Sequence, residues 1–117
     1  MIKVSLFTGT RAEYGLMKKL IRYLEEDNFF DLNLIVSGTH MESKYGNTIE
    51  EIKRDGINIS SSLSIPLKTN LKDGMAFQTA EIIKFVASEL DKFKSEYLII
   101  LGDRFESFGA ATAAHLL

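Results

Sequence analysis

The sequence predicts an open, parallel α/β sheet with its strands in the order 3-2-1-4, the first half of a doubly wound fold. Two observations predict it. Short apolar or alternating runs take turns with stretches whose apolar residues recur at helical spacing, giving β-α-β-α-β-α-β-α over the 117 residues. That succession demands parallel pairing with right-handed crossovers. Three polar clusters also follow strands directly, as they do where open α/β sheets bind ligands at their carboxyl edge.

The elements follow in order. Lys3–Thr8 reads as the first strand, closed by Gly9. From about Tyr14 to Glu26, Leu16, Met17, Leu20, Ile21 and Leu24 recur at helical spacing beside charged residues. Leu32–Ser37 is the second strand, closed by Gly38, and a helix over roughly Tyr45–Arg54 follows, with Gly56 as its stop. Ile57–Leu67 holds a third strand, interrupted by a serine cluster and Pro66. Leu71–Phe93 is a long helix with Met75, Thr79, Ile82, Ile83, Val86, Leu90 and Phe93 on one stripe; Phe77, Phe85 and Phe93 read as core. Tyr97–Leu101 is aliphatic on both faces, as expected of a central parallel strand, and Phe105–Leu117 opens an alanine-rich helix. That strand's far edge and the uncapped last helix lead to the expectation that the natural protein continues beyond Leu117, and that its unpaired edge promotes association.

Composition narrows the function. Apolar residues make up 45% and charged residues 26%, ordinary for a globular protein. Fourteen Lys plus Arg against sixteen Asp plus Glu leave no basic excess, so neither nucleic acid nor a membrane surface is an expected partner. The absence of cysteine excludes disulfides, thiolate zinc sites and a cysteine nucleophile. No signal peptide or spanning segment is read, and a cytoplasmic location is expected.

The polar clusters are Gly9-Thr10-Arg11-Ala12-Glu13, Ser37-Gly38-Thr39-His40 and Gly102-Asp103-Arg104-Phe105-Glu106. In the 3-2-1-4 order the first and fourth strands are neighbours, so Arg11 and Asp103 should face each other across one crevice. Backbone N–H groups at a helix start, the helix dipole and a guanidinium together suit a phosphate or diphosphate. The plainer alternative is that Arg11 and Glu13 decorate a loop and cap a helix. Asp103, after a buried strand, suits an acid or base near neutral pH, or else caps the last helix. His40 suits a sugar hydroxyl or a phosphate, or is an ordinary loop residue, and His115 is an ordinary helix residue. Neither a Gly-x-Gly-x-x-Gly fingerprint nor a P-loop is present, so NAD and ATP are poor candidates. No cofactor is expected, and the two histidines do not make a metal site.

Gly9-Thr10-Arg11-Ala12-Glu13-Tyr14-Gly15-Leu16 and Leu101-Gly102-Asp103-Arg104-Phe105-Glu106 resemble the hydrolysing UDP-N-acetylglucosamine 2-epimerases of sialic-acid-type sugar pathways. Ser37-Gly38-Thr39-His40-Met41, followed by Tyr45-Gly46-Asn47-Thr48, is similar to the same family at the matching place. The similarity runs along the whole chain but only the N-terminal third or so of the family's. It implies the N-terminal part of a Rossmann-like domain in a two-domain GT-B-like fold, a UDP-sugar substrate, and a parent chain that forms a homo-oligomer. It further implies elimination of UDP to a glycal-like intermediate, then hydration to free N-acetylmannosamine. By residue, Arg11 would contact the diphosphate, Asp103 would be the catalytic acid/base group, Arg104 would help hold substrate or product, and His40 would line the cleft. Ala12 and Arg104-Phe105-Glu106 favour the hydrolysing branch, since non-hydrolysing relatives usually carry Pro after the arginine and a threonine-rich stretch after the aspartate. The family's His-x-x-Gly-Gly-Glu stretch and second domain are not within these residues, so the 117-residue piece is expected to be inactive alone. A non-hydrolysing epimerase and a non-catalytic nucleotide-sugar or anion-binding module are the alternatives.

Overall fold

The computed structural model of the chain describes residues 1–37, 48–64, 74–102 and 104–117. The elements in chain order are β1 (Ile2–Thr8), α1 (Arg11–Glu26), β2 (Phe30–Val36), α2 (Thr48–Arg54), β3 (Ser61–Ser62), α3 (Gly74–Phe93), β4 (Tyr97–Ile99) and α4 (Phe105–Leu116). The four strands form one sheet in the order β3-β2-β1-β4, as the sequence predicts. All three pairings are parallel; β1 and β2 run in register from Ile2 opposite Phe30 to Thr8 opposite Val36, while β4 meets β1 only from Val4 to Leu6.

Alternation of side chains along the strands divides the core into two layers. Val4 and Leu6 of β1, with Leu34 and Val36 of β2, point to one face and pack under Tyr14, Met17, Ile21 and Leu24 of α1 and Ile52 of α2. Phe7 and Ile35 point to the other and pack under Ile82, Val86 and Leu90 of α3 and Ala110 and Ala113 of α4. Asn33 and Ser5 share that second face, and their polarity is satisfied internally. Asn33 Nδ2 donates to Ser5 Oγ at 3.0 Å, and Ser5 Oγ is hydrogen-bonded in turn to Ser95 Oγ beside β4. This polar link runs across three adjacent segments of the sheet where apolar contact alone would not fix their order.

The helices differ from the expected stripes in instructive ways. The buried face of α1 is Tyr14, Met17, Ile21 and Leu24, while Leu16 is 79% exposed and Leu20 is also exposed. Both patterns have helical spacing, and Tyr14 decides between them. Its ring is buried and its hydroxyl donates to Asp55 just after α2, rotating the face by about one residue. Lys18 pairs with the same carboxylate at 3.0 Å, and Arg22 donates to the Asp55 carbonyl at 3.0 Å. Tyr14 and Lys18 hold the Asp55 carboxyl below its ordinary pKa. Burial, followed by the Asp55 hydrogen bond, pushes the Tyr14 phenol up.

On α3, Gln78, Ile82, Val86 and Leu90 face inward, whereas Met75 and Phe77 are exposed, so the first turn departs from the expected stripe. Gly56 ends α2 with φ +76, as expected of a left-handed stop. β3 is only two residues long, and β4 is three residues, Tyr97–Ile99, paired with β1 over its whole length. Expectations for residues 38–47, 65–73 and 103 lie outside the described residues.

Helices α3 and α4 approach closely because α4 presents Gly109 there. A Cβ at Gly109 would lie 3.0 Å from Ile82 Cγ2 and 3.3 Å from the Thr79 carbonyl oxygen, whereas one at Gly15 would meet nothing within 4 Å. Gly109→Ala should therefore destabilise the protein by about 1–3 kcal/mol through overpacking. Gly15→Ala, on the exposed side of α1, should stabilise it by about 0.5–1 kcal/mol. Denaturant melting of both variants checks the pair of signs.

Candidate functional site

The site is assembled by two turns at the carboxyl edge of the sheet, one after β1 and one after β4. The first is fixed by Thr10 and Glu13. Thr10 is the N-cap of α1, and its side chain accepts the Glu13 N–H at 3.2 Å. The Glu13 side chain reaches back past the cap and accepts the Gly9 N–H through Oε1 at 2.9 Å. This is a capping box displaced by one residue, and it satisfies donors that a helix start would otherwise leave open.

Arg11 is the first residue of α1, not a loop residue before it. Its guanidinium projects outward and pairs with Glu51 of α2, Nε to Oε2 at 2.9 Å and Nη2 to Oε1 at 3.4 Å. The Glu51 hydrogen bond and charge raise the Arg11 pKa further. The pair is exposed, so salt and water screen it and an incoming anion can compete for the guanidinium. Beside it lies an open depression of about 450 Å³ lined by Arg11, Ala12, Tyr14, Gly15, Leu16 and Glu51.

The second turn brings Gly102, Arg104 and Glu106 to the same edge. Gly102 takes φ +90, a conformation that disfavours any side chain. Arg104 is the N-cap residue of α4 and makes no side-chain cap bond. The alternative that Asp103 caps this helix falls on a residue outside the described ones. Arg104 instead folds onto Glu106, Nε to Oε1 at 3.0 Å and Nη2 to Oε2 at 3.1 Å, with its guanidinium 5.9 Å from the Phe105 ring centre. Such a two-nitrogen grip on a carboxylate is the strong form of this pairing. Glu106 itself is only 1% exposed.

The two turns touch. A Cβ on Gly9 would come within 3.0 Å of Glu106 Cβ, so the missing side chain at Gly9 is what admits α4 to this position. Glu13 Oε2 lies 3.5 Å from Ser107 Oγ, and a Cβ on Gly102 would lie 3.3 Å from the same Oε2. Glu13 is 6% exposed, and burial raises its pKa above the ordinary glutamate value, with the Glu106 charge adding to the rise and the Gly9 N–H, Arg104 and the Ser107 hydroxyl opposing it. The Gly9 and Gly102 turns therefore meet through Glu13 and Glu106, while the Arg11 side chain turns away toward α2. Asp103 and His40 lie outside the described residues, as does any direct geometry between Asp103 and Arg11.

Residues 22–117 match the family model for UDP-N-acetylglucosamine 2-epimerase. The chain belongs to the UDP-N-acetylglucosamine 2-epimerase family. Within that family, a UDP-N,N'-diacetylbacillosamine 2-epimerase (hydrolyzing) of Legionella pneumophila is 33% identical over 112 residues, covering 96% of this chain and 30% of its own. A UDP-N-acetylglucosamine 2-epimerase of Neisseria meningitidis is 32% identical over 115 residues, covering 97% and 30%. The chain thus spans about 30% of the length of the curated relatives it matches. Among solved structures, UDP-GlcNAc 2-epimerase from Neisseria meningitidis bound to UDP-GlcNAc shares the fold, with TM-score 0.79 at 23% identity over 99% of this chain and 30% of that one. The enzyme from Methanocaldococcus jannaschii does so with TM-score 0.76 at 23% identity, over 97% and 28%.

The sequence reading treated Glu13 as loop decoration or a cap and missed its place between the turns. The Thr10-x-x-Glu13 spacing signals the cap, but the contact with α4 depends on the β1–β4 pairing. The raised pKa has a measurable consequence. Between the ordinary glutamate pKa and the raised one, the folded chain binds more protons than the unfolded chain, so Glu13 makes stability fall as pH rises through that interval. Glu13→Gln removes this contribution. Its melting temperature relative to wild type should therefore move upward between acidic and neutral pH, and a difference that does not vary with pH would contradict the shift.

Proposed function

We infer that the parent protein of this chain is a hydrolysing UDP-N-acetylglucosamine 2-epimerase that releases UDP and N-acetylmannosamine, with this chain as the N-terminal part of the first of two Rossmann-like domains in a GT-B-like arrangement. The observation that carries the reading is the meeting of the Gly9–Glu13 and Gly102–Glu106 turns at the carboxyl edge of β1 and β4, in a chain of this family. The hydrolysing branch is supported by Ala12 after Arg11, by Arg104-Phe105-Glu106, and by the hydrolysing relative from Legionella pneumophila.

In this reading the α1 N-terminus and Arg11 receive the diphosphate, Arg11 exchanging Glu51 for a phosphate oxygen. Asp103 moves the proton at the sugar ring as the C1–oxygen bond breaks and UDP leaves, giving a 1,2-unsaturated sugar. Addition of water across that double bond yields N-acetylmannosamine, so UDP-N-acetylglucosamine plus water balances UDP plus N-acetylmannosamine. Arg104, already charged and half-exposed, helps hold substrate or product, and His40 lines the cleft.

The full-length gene product, incubated with UDP-N-acetylglucosamine, should release UDP together with free N-acetylmannosamine. Accumulation of UDP-N-acetylmannosamine would instead select the non-hydrolysing branch, and no turnover would favour a binding module. Arg11→Ala should raise KM roughly ten-fold with kcat largely kept, because a diphosphate contact exists in both ground and transition states. Asp103→Asn should lower kcat by about 10²–10⁴-fold, the usual worth of general acid/base help, with UDP binding retained.

A further inference from the structure

Arg11 and Arg104 each meet a carboxylate, but the two pairs differ in what an incoming ligand can do to them. The Glu51 side chain that pairs with Arg11 is 34% exposed, whereas the Glu106 side chain that pairs with Arg104 is 1% exposed. Drawing Arg104 away would strand a buried carboxylate, while Glu51 released by Arg11 returns to water. Arg11 can therefore change partners, and Arg104 keeps its own.

The buried partner is itself held firmly. The Phe108 N–H donates to the Arg104 carbonyl at 2.9 Å, closing the first turn of α4 around Glu106. Ser107, the next residue, reaches the Leu101 carbonyl oxygen through Oγ at 3.0 Å, which ties that turn to the end of the β4 segment. On the other side Glu106 Cβ lies where a Cβ on Gly9 would come within 3.0 Å. The Glu106 carboxylate passes this placement on through two parallel bonds, Arg104 Nε to Oε1 at 3.0 Å and Nη2 to Oε2 at 3.1 Å. A guanidinium is a planar fork, so two such bonds fix its direction as well as its distance. The Arg104 side chain is nonetheless half-exposed.

We propose that Glu106 is a positioning residue that sets the direction of the Arg104 guanidinium and keeps it while a ligand binds. Arg104 then meets an acceptor oxygen of the substrate as a preset donor, and Glu106 does this without touching the substrate. The inference rests on the reading above, which gives Arg104 a share in holding substrate or product, and it adds the residue that presents that arginine.

The test uses the full-length gene product with UDP-N-acetylglucosamine as substrate. Glu106→Gln keeps the shape of the side chain but replaces one gripping oxygen by an N–H donor, which a guanidinium cannot accept. Its KM is expected to rise roughly ten-fold, toward that of Arg104→Ala, with kcat within about three-fold of wild type. The double variant carrying Glu106→Gln and Arg104→Ala is expected to match the KM of Arg104→Ala alone, because Glu106 acts through that arginine. Arg104→Lys keeps the charge at a half-exposed position and loses the fork, and its KM is expected to rise about as far as that of Glu106→Gln. Losses that multiply in the double variant would overturn the proposal, as would a wild-type KM in Arg104→Lys. A Glu106→Gln variant with a lowered melting temperature and a wild-type KM would reduce the pair to a structural contact and overturn it too. Release of UDP-N-acetylmannosamine by wild type would fail the hydrolysing reading, and the same KM comparison would still decide the role of Glu106. If wild type turned nothing over, the Kd of UDP-N-acetylglucosamine, then an unreacted ligand, would take the place of KM and decide it.

Discussion

The close approach of the first turn to the last helix is the constraint on which the candidate site depends. It needs three things at once: no side chain on Gly9, a buried Glu106 whose charge Arg104 has taken up, and a Glu13 that bridges to Ser107. A Cβ at Gly9 would press on Glu106 Cβ, which cannot swing aside as a long side-chain tip can. The parallel pairing of Val4–Leu6 with Tyr97–Ile99 brings the two turns to the same edge, but these polar groups decide how tightly they meet.

Burying two carboxyls within one small region is costly unless each has a partner and the charges are balanced. The structure divides the task unequally. Glu106 receives a guanidinium with two nitrogens, and Glu13 receives a backbone N–H and a hydroxyl. The arrangement leaves one charge-paired acid and one acid with a raised pKa side by side. On the outer side, Arg11 shares its charge with exposed Glu51, an ion pair that water screens. The same cluster of sequence motifs therefore yields a rigid inner part and an exchangeable outer part.

Much of the fold was legible because apolar periodicity and glycine stops record it directly. The strand order, the parallel pairing and the Gly56 stop all follow from that pattern. Which of two helical stripes on α1 faces inward was not, because Leu16–Leu20 and Met17–Ile21 are equally apolar in sequence and the choice rests on Tyr14 reaching Asp55. In the site, Arg11 and Arg104 were visible as charged residues after strands, but their present partners, Glu51 and Glu106, depend on tertiary contacts. The same holds for Glu13, whose cap is local and whose contact with α4 spans most of the chain.

The central claim is that the two turns at the carboxyl edge of β1 and β4 form one binding surface for a nucleoside diphosphate. Amide chemical shifts of the full-length protein, followed by NMR through a titration with UDP, test it most directly. The account predicts that Gly9, Thr10, Arg11, Gly102 and Arg104 shift together along one binding curve, while Lys3 and Glu96 at the opposite edge stay in place. Shifts that appear at Lys3 and Glu96 and leave both turns unmoved would contradict it.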